Sequence, residues 1–483
     1  MSAARLSDLV QRDLAVDPLI EGVTADSRKV ERGFLFAALP GAKADGKSFA
    51  SAAVARGAAA VLANADLPDL AAPVVKVGDP RRAYALASAA FFGRQPAVCV
   101  AVTGTNGKTS VATFCRQIFA AAGLSSASMG TLGVCAGDEL LTGPGLTTPD
   151  AADVARILAD LARRGVTHLA LEASSHGVDQ RRLDGVSLKA AGFLNLTQDH
   201  LDYHGTMGAY RAAKLRLFET LLPRGGCAVL NADSDAYPAF AAAAASNGQS
   251  IMSVGAMGQG LTLAGRVVIA AGQRLKVKAW GATHTVTLPL AGAFQVSNAL
   301  VAAGLCIAAG LSPEAALGAL EKLEGAPGRL QHVGGGPRGG EAYVDYAHTP
   351  DGLATVLAAL RPHARGRLIV VFGAGGDRDR TKRPQMGAIA VDLADIAIVT
   401  DDNPRSEAPA AIRAEIRAGA PGLIEIADRR AAIQAAADRL EAGDILVVAG
   451  KGHERGQVVG HITHPFDDVA VTRAALGLDP SGG

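Results

Sequence analysis

The chain has 483 residues, 49% of them hydrophobic and 19% charged, and its 47 basic and 46 acidic side chains leave a net charge of +1. So even a balance gives no electrostatic case for a nucleic acid or a membrane surface as partner. An aromatic share of 4% excludes an extensive base-stacking platform. The length exceeds what one hydrophobic core serves, so two or three cores are expected.

The N-terminal residues Met1–Val10 hold no apolar leader segment, and no run of about 18 uncharged apolar residues follows. Cys99, Cys115, Cys135, Cys227 and Cys306 are odd in number and widely spaced, without a CxxC pair. That pattern argues against a disulfide framework or a structural zinc and fits a reducing, cytoplasmic setting.

In chain order, a first region runs to about Gln95. It offers a buried strand at Gly33–Leu39 and a helix leading into a strand across Ala53–Leu62. A second region, 96–326, opens on the apolar run Ala97–Val102, short enough for a buried parallel strand. A Gly-rich turn and a helix through Ala122 follow. Further apolar runs stand at His168–Leu171, Ala190–Leu194 and Cys227–Leu230, with helical stretches between them as βαβ units require. The alanine tract Ala241–Ala245 reads as a helix end, and 261–290 as a β-rich insert with alternating residues. The third region, 327–483, has a surface loop at Gly334–Gly340. Its buried strands lie at Arg367–Gly373, Ile396–Thr400 and Asp444–Ala449. In open α/β sheets, the carboxyl ends of such strands carry the ligands.

The run Gly104-Thr105-Asn106-Gly107-Lys108-Thr109 lies between a predicted strand and a predicted helix. Backbone N–H groups of such a turn, with the helix N-terminus, form an anion cradle. Lys108 can reach β- and γ-phosphates, and the Thr109 hydroxyl can ligate Mg²⁺. The full phosphate-loop pattern needs Gly at 102, where this chain has Val102, so the loop is a shortened variant. An ordinary strand-to-helix turn is the alternative.

Glu172 closes one apolar strand and His200 follows the next, which places an oxygen and a nitrogen ligand for a divalent metal at one sheet edge. Taken singly, each also reads as a surface glutamate and a capping histidine. Lys214 lies in an amphipathic helix pattern, where a solvated lysine is the ordinary expectation. Thr147-Thr148-Pro149 reads as a helix N-cap with proline in the first turn. Arg182 suits a carboxylate or pyrophosphate. The charged, Gly-rich turn Gly373–Arg383 either closes over phosphates, with Lys382 or Arg383 neutralising the transferring group, or is a solvated turn. Asp402-Asn403-Pro404-Arg405 follows a strand, and Asn-Pro alone is a ready turn former.

The shortened loop resembles the ATP loop of the Mur ligases and of their relative, folylpolyglutamate synthetase. Those enzymes phosphorylate a carboxylate and let an amine displace the phosphate. The resemblance spans nearly the whole chain, with its motifs in the family's order. It implies an α/β fold of three domains: a central P-loop ATPase domain with a parallel sheet, flanked by an N-terminal UDP-binding domain (1–95) and a C-terminal Rossmann-like domain (327–483).

The family's ATP contacts map onto Gly104–Thr109, Asn298, Arg329 and Lys382. Its Mg²⁺ ligands map onto Thr109, Glu172, His200 and Lys214, the last as a carbamate. Contacts to the UDP-linked muramoyl dipeptide map onto Ser27, Thr147, Thr148, Ser174, Gln180 and Arg182, and the stretch Gly41–Gly46 belongs to the same nucleotide-binding region. Asp345-Tyr346-Ala347-His348 matches a third-domain motif. Asp402-Asn403-Pro404-Arg405 is similar to the signature of family members that add meso-diaminopimelate, with Arg378, Gly450 and Glu454 as its companions. Family members often have Asn where Gln295 stands, and His204 receives no role. The resemblance thus implies a cytoplasmic, monomeric, amide-bond-forming ligase of the tripeptide synthetase branch, acting in peptidoglycan precursor synthesis. Folylpolyglutamate synthetases lack the first domain. A nucleotide switch that forms no bond is the non-enzyme alternative.

Overall fold

Apolar runs without alternation become parallel strands covered on both faces, and this chain forms three sheets of that kind. The computed structural model describes residues 3–41, 45–137, 139–269 and 272–479. Ala42–Ala44, within the stretch read as part of a nucleotide-binding region, lie outside the described residues. Among the described residues no helix is long and apolar enough to cross a membrane. Two compact units emerge. One is Met1–Leu263 with Lys278–Ala282 and Asn298–Ala319; the other is Ala264–Val277 with Thr283–Ser297 and Leu320–Gly483.

After a short antiparallel pair, Ala4–Arg5 with Leu19–Ile20, the first unit forms a parallel sheet of β1 (Gly22–Thr24), β2 (Phe34–Ala37), β3 (Ala60–Ala63) and β4 (Val74–Lys76), in that order. Helix α1 (Ala50–Ala55) leads into β3, as the sequence predicts. Helix α2 (Pro80–Phe92) starts with Asp79 accepting the Arg82 N–H and with Pro80 in the first turn. Its Tyr84 is buried, and the Tyr84 hydroxyl donates to Asp150 at 2.7 Å.

The larger sheet of this unit is built on β5 (Val98–Thr103), followed by helix α3 (Lys108–Ala121). Then come β6 (Ser126–Gly130), β7 (Gly133–Ala136), β8 (Glu139–Thr142), helix α4 (Ala151–Arg163), β9 (His168–Glu172) and the short helix α5 (Ser175–Asp179). After β10 (Ala190–Phe193) come helices α6 (Leu201–His204) and α7 (Met207–Arg216). Strand β11 (Cys227–Asn231), helix α8 (Tyr237–Ser246) and β12 (Ser250–Gly255) follow. The strand order is β8-β7-β6-β9-β5-β10-β11-β12, and β6, β9, β5, β10, β11 and β12 run parallel. The carboxyl ends of β5, β9 and β10 therefore come together, and with them the loops that start at Gly104, Ala173 and Leu194.

The predicted insert is present as β13 (Leu261–Ile269), β14 (Gly272–Ala279) and β15 (Ala282–Leu288), and side chains along β14 alternate between buried and exposed from Gln273 onward. Helix α9 (Ala293–Ala308) follows.

The second unit's sheet uses β16 (Gln331–Gly335), β17 (Glu341–Asp345), β18 (Leu368–Phe372), β19 (Ile396–Val399), β20 (Ile424–Glu425) and β21 (Ile445–Ala449). Their order is β16-β17-β21-β18-β19-β20, antiparallel between β16 and β17 and parallel elsewhere. Leu368, Val370 and Phe372 face one core with Leu353, Met386 and Ile416. Ile369 and Val371 face the other with Ile433, Leu446 and Val471. Helices thus cover both faces, and the loops after β17, β18, β19 and β21 gather at one edge. The antiparallel hairpin of β22 (Gly456–Val459) and β23 (Ile462–Pro465) follows β21.

Two of the local expectations need correction. Thr148 is not the N-cap of α4. Asp150 is, accepting the Ala152 N–H at 3.1 Å, because the Thr148 hydroxyl is drawn inward to donate to the Glu172 carbonyl at 2.9 Å. The tract Ala241–Ala245 forms the C-terminal end of α8, which closes at Ser246, as the sequence predicts. The loop at Gly334–Gly340 is shorter than expected, since Gly334 and Gly335 pair with β17.

Candidate functional site

In the first unit the phosphate loop springs from β5, whose last residues are fully buried. Gly107 closes the loop at φ +89°, in the left-handed region, directly before α3. A Cβ there would lie 2.3 Å from Asn298 Oδ1, so a larger residue would displace Asn298 from the loop. The loop is braced from β10: Thr105 N–H donates to the Asn195 carbonyl at 3.0 Å and Asn106 N–H to Asn195 Oδ1 at 2.9 Å. Thr105 Oγ1 donates to the Thr197 carbonyl at 3.1 Å and accepts the Thr197 N–H at 3.0 Å. Asn195 and Thr197 are partners to which the sequence reading gave no role. Lys108 Nζ donates to the carbonyls of Gly104 and Thr105 at 2.9 and 2.8 Å, and Thr109 is buried.

Lys214 departs most from the ordinary expectation for a lysine. It is 1% exposed, with Nζ donating to the Gly104 carbonyl at 2.7 Å and lying 4.4 Å from the centre of the Tyr210 ring. Desolvation, and secondarily the positive charge of Lys108, hold its ammonium well below the usual lysine range. The amine at this position is therefore poised toward its neutral, nucleophilic form. Tyr210, Ala213, Lys214, Leu217 and Phe218 are all buried and follow the i, i+3, i+4, i+7, i+8 spacing of an inward face.

Glu172, 2% exposed, ends β9 at the same edge. Its Oε1 accepts the Thr131 N–H at 2.8 Å and its Oε2 the Thr131 hydroxyl at 3.3 Å. Thr131 links onward to Thr147, hydroxyl to hydroxyl at 2.9 Å, and Thr148 links likewise to Ser174 at 2.9 Å. Ser174 caps α5 by accepting the Gly177 N–H. Arg182 donates to the Thr148 carbonyl at 2.6 Å and to Gln180 Oε1 at 2.7 Å. Thr147, Thr148, Ser174, Gln180 and Arg182 thus form one connected polar patch beside Glu172.

His200 precedes α6 at φ 52° and makes no capping bond with its side chain. Its ring centre stands 4.9 Å from that of His176. His204 contacts the Ser175 hydroxyl at 3.0 Å. Thr109 and Glu172 offer the hard oxygen donors that Mg²⁺ takes. Among the described residues, no three His, Cys, Asp or Glu side chains converge as a metal cluster. Ser27 begins a 3₁₀ turn after β1 that Asp26 caps by accepting the Arg28 N–H.

In the second unit the loops at the carboxyl ends meet. After β19, Asp402 and Asn403 are buried, and Arg405 adopts φ 52°. Asn403 Nδ2 donates to Glu454 Oε2 at 2.8 Å, across to the turn after β21. In that turn Gly450 has φ +121°, and a Cβ on it would lie 2.9 Å from Asp402 Oδ2. Arg405 Nη1 donates to the Gly376 carbonyl at 2.7 Å, and the exposed Arg378 lies on the same glycine loop. Asp402, Asn403, Pro404, Arg405, Gly450 and Glu454 are therefore one cluster, with Arg378 at its border.

Lys382 Nζ donates to the His348 carbonyl at 2.8 Å, and the Arg329 guanidinium stacks 4.7 Å over Tyr346. Burial pushes Asp345 up to about 6, although it accepts N–H groups from Leu330 and Ala347. Arg383 cannot serve a phosphate. Its side chain is buried and paired with Glu407 and Glu415 at 2.7 Å each, and the Arg383 hydrogen bonds hold Glu407 down at about 2. Beneath the cluster Arg429 and Asp468, both fully buried, pair at 2.6 Å. Sequence periodicity gave no sign of this pair, since a charged residue on a short helix reads as solvated.

Comparison with known proteins agrees in every part of the chain. Residues 19–92 match the Mur ligase family, catalytic domain; residues 102–306 match the Mur ligase middle domain; residues 328–452 match the Mur ligase, glutamate ligase domain. A UDP-N-acetylmuramoyl-L-alanyl-D-glutamate–2,6-diaminopimelate ligase of Caulobacter vibrioides is 69% identical over 482 residues, 98% of this chain and 99% of the relative. One of the same name from Brucella melitensis is 54% identical, over 95% of this chain and 94% of the relative. A solved structure of a ligase with that name superposes with a TM-score of 0.76 at 36% identity, covering 99% of both chains. A folylpolyglutamate synthase from Mycobacterium tuberculosis, solved with ADP, has a TM-score of 0.63 at 18% identity over 77% of this chain and 91% of that one, a likeness of fold alone. With three matching domains and relatives of this identity along its whole length, the chain belongs to the Mur ligase family.

Proposed function

We propose that this chain is an ATP-dependent ligase that adds meso-2,6-diaminopimelate to UDP-N-acetylmuramoyl-L-alanyl-D-glutamate, as a cytoplasmic monomer, in peptidoglycan precursor synthesis. The observation that carries the reading is the second-unit cluster. Arg405 stands with Asp402 and Glu454 at one sheet edge, a cation and two acids for an amino acid whose distal carbon bears a carboxylate and an ammonium. Residues 1–95 would bind the uridine part through Ser27, 96–326 would bind ATP, and 327–483 the amino acid.

The chemistry takes two steps. An oxygen of the D-glutamate side-chain carboxylate attacks the γ-phosphorus of ATP, the bond to the β–γ bridging oxygen breaks, and ADP leaves. The diaminopimelate amine then attacks the acyl phosphate carbon, the carbon–oxygen bond breaks, phosphate leaves with the electron pair, and the amine gives up a proton. Backbone N–H groups of Gly104–Thr109 would cradle the phosphates. Lys108 would exchange its carbonyl partners for the β- and γ-oxygens. Asn298, Arg329 and Lys382 would complete the ATP contacts. Thr147, Thr148, Ser174, Gln180 and Arg182 would hold the muramoyl dipeptide near Glu172. Thr109, Glu172, His200 and Lys214, the last as its carbamate, would hold Mg²⁺, which when bound offsets phosphate charge.

The test is phosphate release from ATP across a panel of muramoyl nucleotides, folates and amino acids. Release is expected only with the UDP-linked dipeptide together with meso-diaminopimelate. Release with a folate and glutamate instead, or with no pair at all, would overturn the reading.

The dry, neutral-leaning Lys214 supports carbamate formation, because only an uncharged amine adds CO₂. Lys214→Ala is expected to lose most ligase activity, with formate restoring part of it. Lys214→Arg is expected to stay inactive, since a guanidinium remains a cation. Steady-state rates for both variants check this, and full activity in Lys214→Arg refutes the carbamate role.

A further inference from the structure

Lys451 sits in the turn after β21, between Gly450 and Glu454, and its side chain is fully buried. A buried ammonium is costly unless acids and acceptors face it. Three groups do. Nζ donates to Asn403 Oδ1 at 3.0 Å and to Glu454 Oε2 at 3.4 Å, and it lies 3.7 Å from Asp402 Oδ1. Asn403 donates to the same Glu454 oxygen, so two donors fix Oε2, while among the described residues no hydrogen bond reaches Oε1. Glu454 is also the open member of the group, with its side chain 33% exposed against 6% for Asp402.

The opposite side of the cluster is held by the β22–β23 hairpin. Val458 N–H donates to Asn403 Oδ1 at 2.9 Å and Gln457 Nε2 to the Asp402 carbonyl at 2.8 Å. Arg405 N–H donates to the Val458 carbonyl at 3.0 Å, and Gly460 N–H to the Arg405 carbonyl at 2.7 Å. Asn403 and the inner oxygen of Glu454 are thus fixed in place, with the Lys451 ammonium lying between them and the Asp402 carboxylate.

The charges then decide what fits. Asp402 and Glu454 contribute two negative charges, Lys451 one positive and Arg405 another. Arg429 lies nearby, but its pair with Asp468 is neutral as a unit. These four side chains together are neutral, which matches a distal carbon bearing one ammonium and one carboxylate. Without Lys451 they would carry one net negative charge, which suits a bare ammonium better.

We propose that Lys451 is a positioning residue that sets amino-acid specificity: it fixes Glu454 and trims the acidic charge of the subsite, so that a zwitterionic distal centre is preferred to a lone ammonium. This rests on the function proposed above.

The test uses the full-length enzyme, with KM and kcat measured for meso-diaminopimelate and for L-lysine in wild type, Lys451→Met, Asp402→Asn and the double variant. Lys451→Met is expected to raise KM for diaminopimelate by about tenfold or more, to leave KM for ATP within about twofold, and to shift the kcat/KM ratio toward lysine. The double variant restores neutrality and is expected to bind diaminopimelate more tightly than Asp402→Asn alone. A general packing defect would instead raise every KM together and make the double variant the worst of the set; either result overturns the inference. If Lys451→Met does not fold, the comparison of the double variant with Asp402→Asn decides the matter. A wild type that does not consume diaminopimelate overturns the parent function. A wild type that does, beside an indifferent Lys451→Met, overturns this inference alone.

Discussion

Lys108→Ala is expected to abolish ATP-driven ligation, with a loss in kcat on the order of 10³-fold or more, while the unfolding midpoint stays near that of the wild type. The two halves of this expectation come from different facts. Lys108 is only partly buried, and its ammonium rests on the Gly104 and Thr105 carbonyls, so the fold loses about 1 kcal/mol of hydrogen bonding. The loop's shape survives, because it is fixed by Asn195, Thr197 and the Asn298 side chain against Gly107. What disappears is the mobile cation that follows charge onto the γ-phosphate oxygens as they leave their ground-state positions. Phosphate release and circular dichroism on the same sample check both halves. A folded Lys108→Ala enzyme that still forms product would remove the ATP site from this loop.

The strand ends from which the candidate site's loops spring were legible because buried parallel strands are unbroken apolar runs. Ala97–Val102, Ile396–Thr400 and Asp444–Ala449 each stop where a glycine or polar residue begins, and the site loops start there. Lys214 was singled out as a candidate only through family likeness, yet its burial has a physical sign in the sequence. It shares a helical face with Tyr210, Ala213 and Leu217, so a lysine on that stripe must enter the core. Other features are tertiary and leave no local pattern. Thr131 reaches Glu172 from a loop 41 positions away, and Arg429 meets Asp468 from 39. Arg383 shows the converse error. The sequence places it in a charged turn suited to phosphate, but Glu407 and Glu415 arrive from a later loop and helix and claim it. The N-cap of α4 failed for a similar reason, since Thr148 has a stronger use across the sheet edge than at the helix start.

The sharpest expected result concerns Arg405. Diaminopimelate differs from lysine by one carboxylate on the carbon bearing the distal ammonium. A site that selects it needs a planar donor for that carboxylate, and a guanidinium matches it two-pronged where an ammonium cannot. Arg405 is held in advance: its φ of 52° is a left-handed conformation costing about 1–2 kcal/mol for a side chain of this size, secured by backbone bonds to Val458 and Gly460. Nη1 already donates to Gly376, and among the described residues Nε and Nη2 make no hydrogen bond, which leaves one edge of the fork for a ligand. Lysine would leave that half-buried fork without its carboxylate, so rejection on the order of 10³-fold in kcat/KM is expected, equivalent to about 4 kcal/mol. Arg405→Ala should therefore cripple diaminopimelate addition far more than it weakens ATP or the nucleotide substrate. It also relieves the left-handed strain only in part, so the loop should keep its place through the hairpin and Asn403. The variant need not become a lysine enzyme: its cluster keeps one net negative charge, which moves the preference toward lysine, but no contact built for that amino acid is added. The decisive measurement is kcat/KM for both amino acids in wild type and in Arg405→Ala. A wild type that uses L-lysine as well as diaminopimelate, or a variant with its preference unchanged, would show that Arg405 does not read the distal carboxylate.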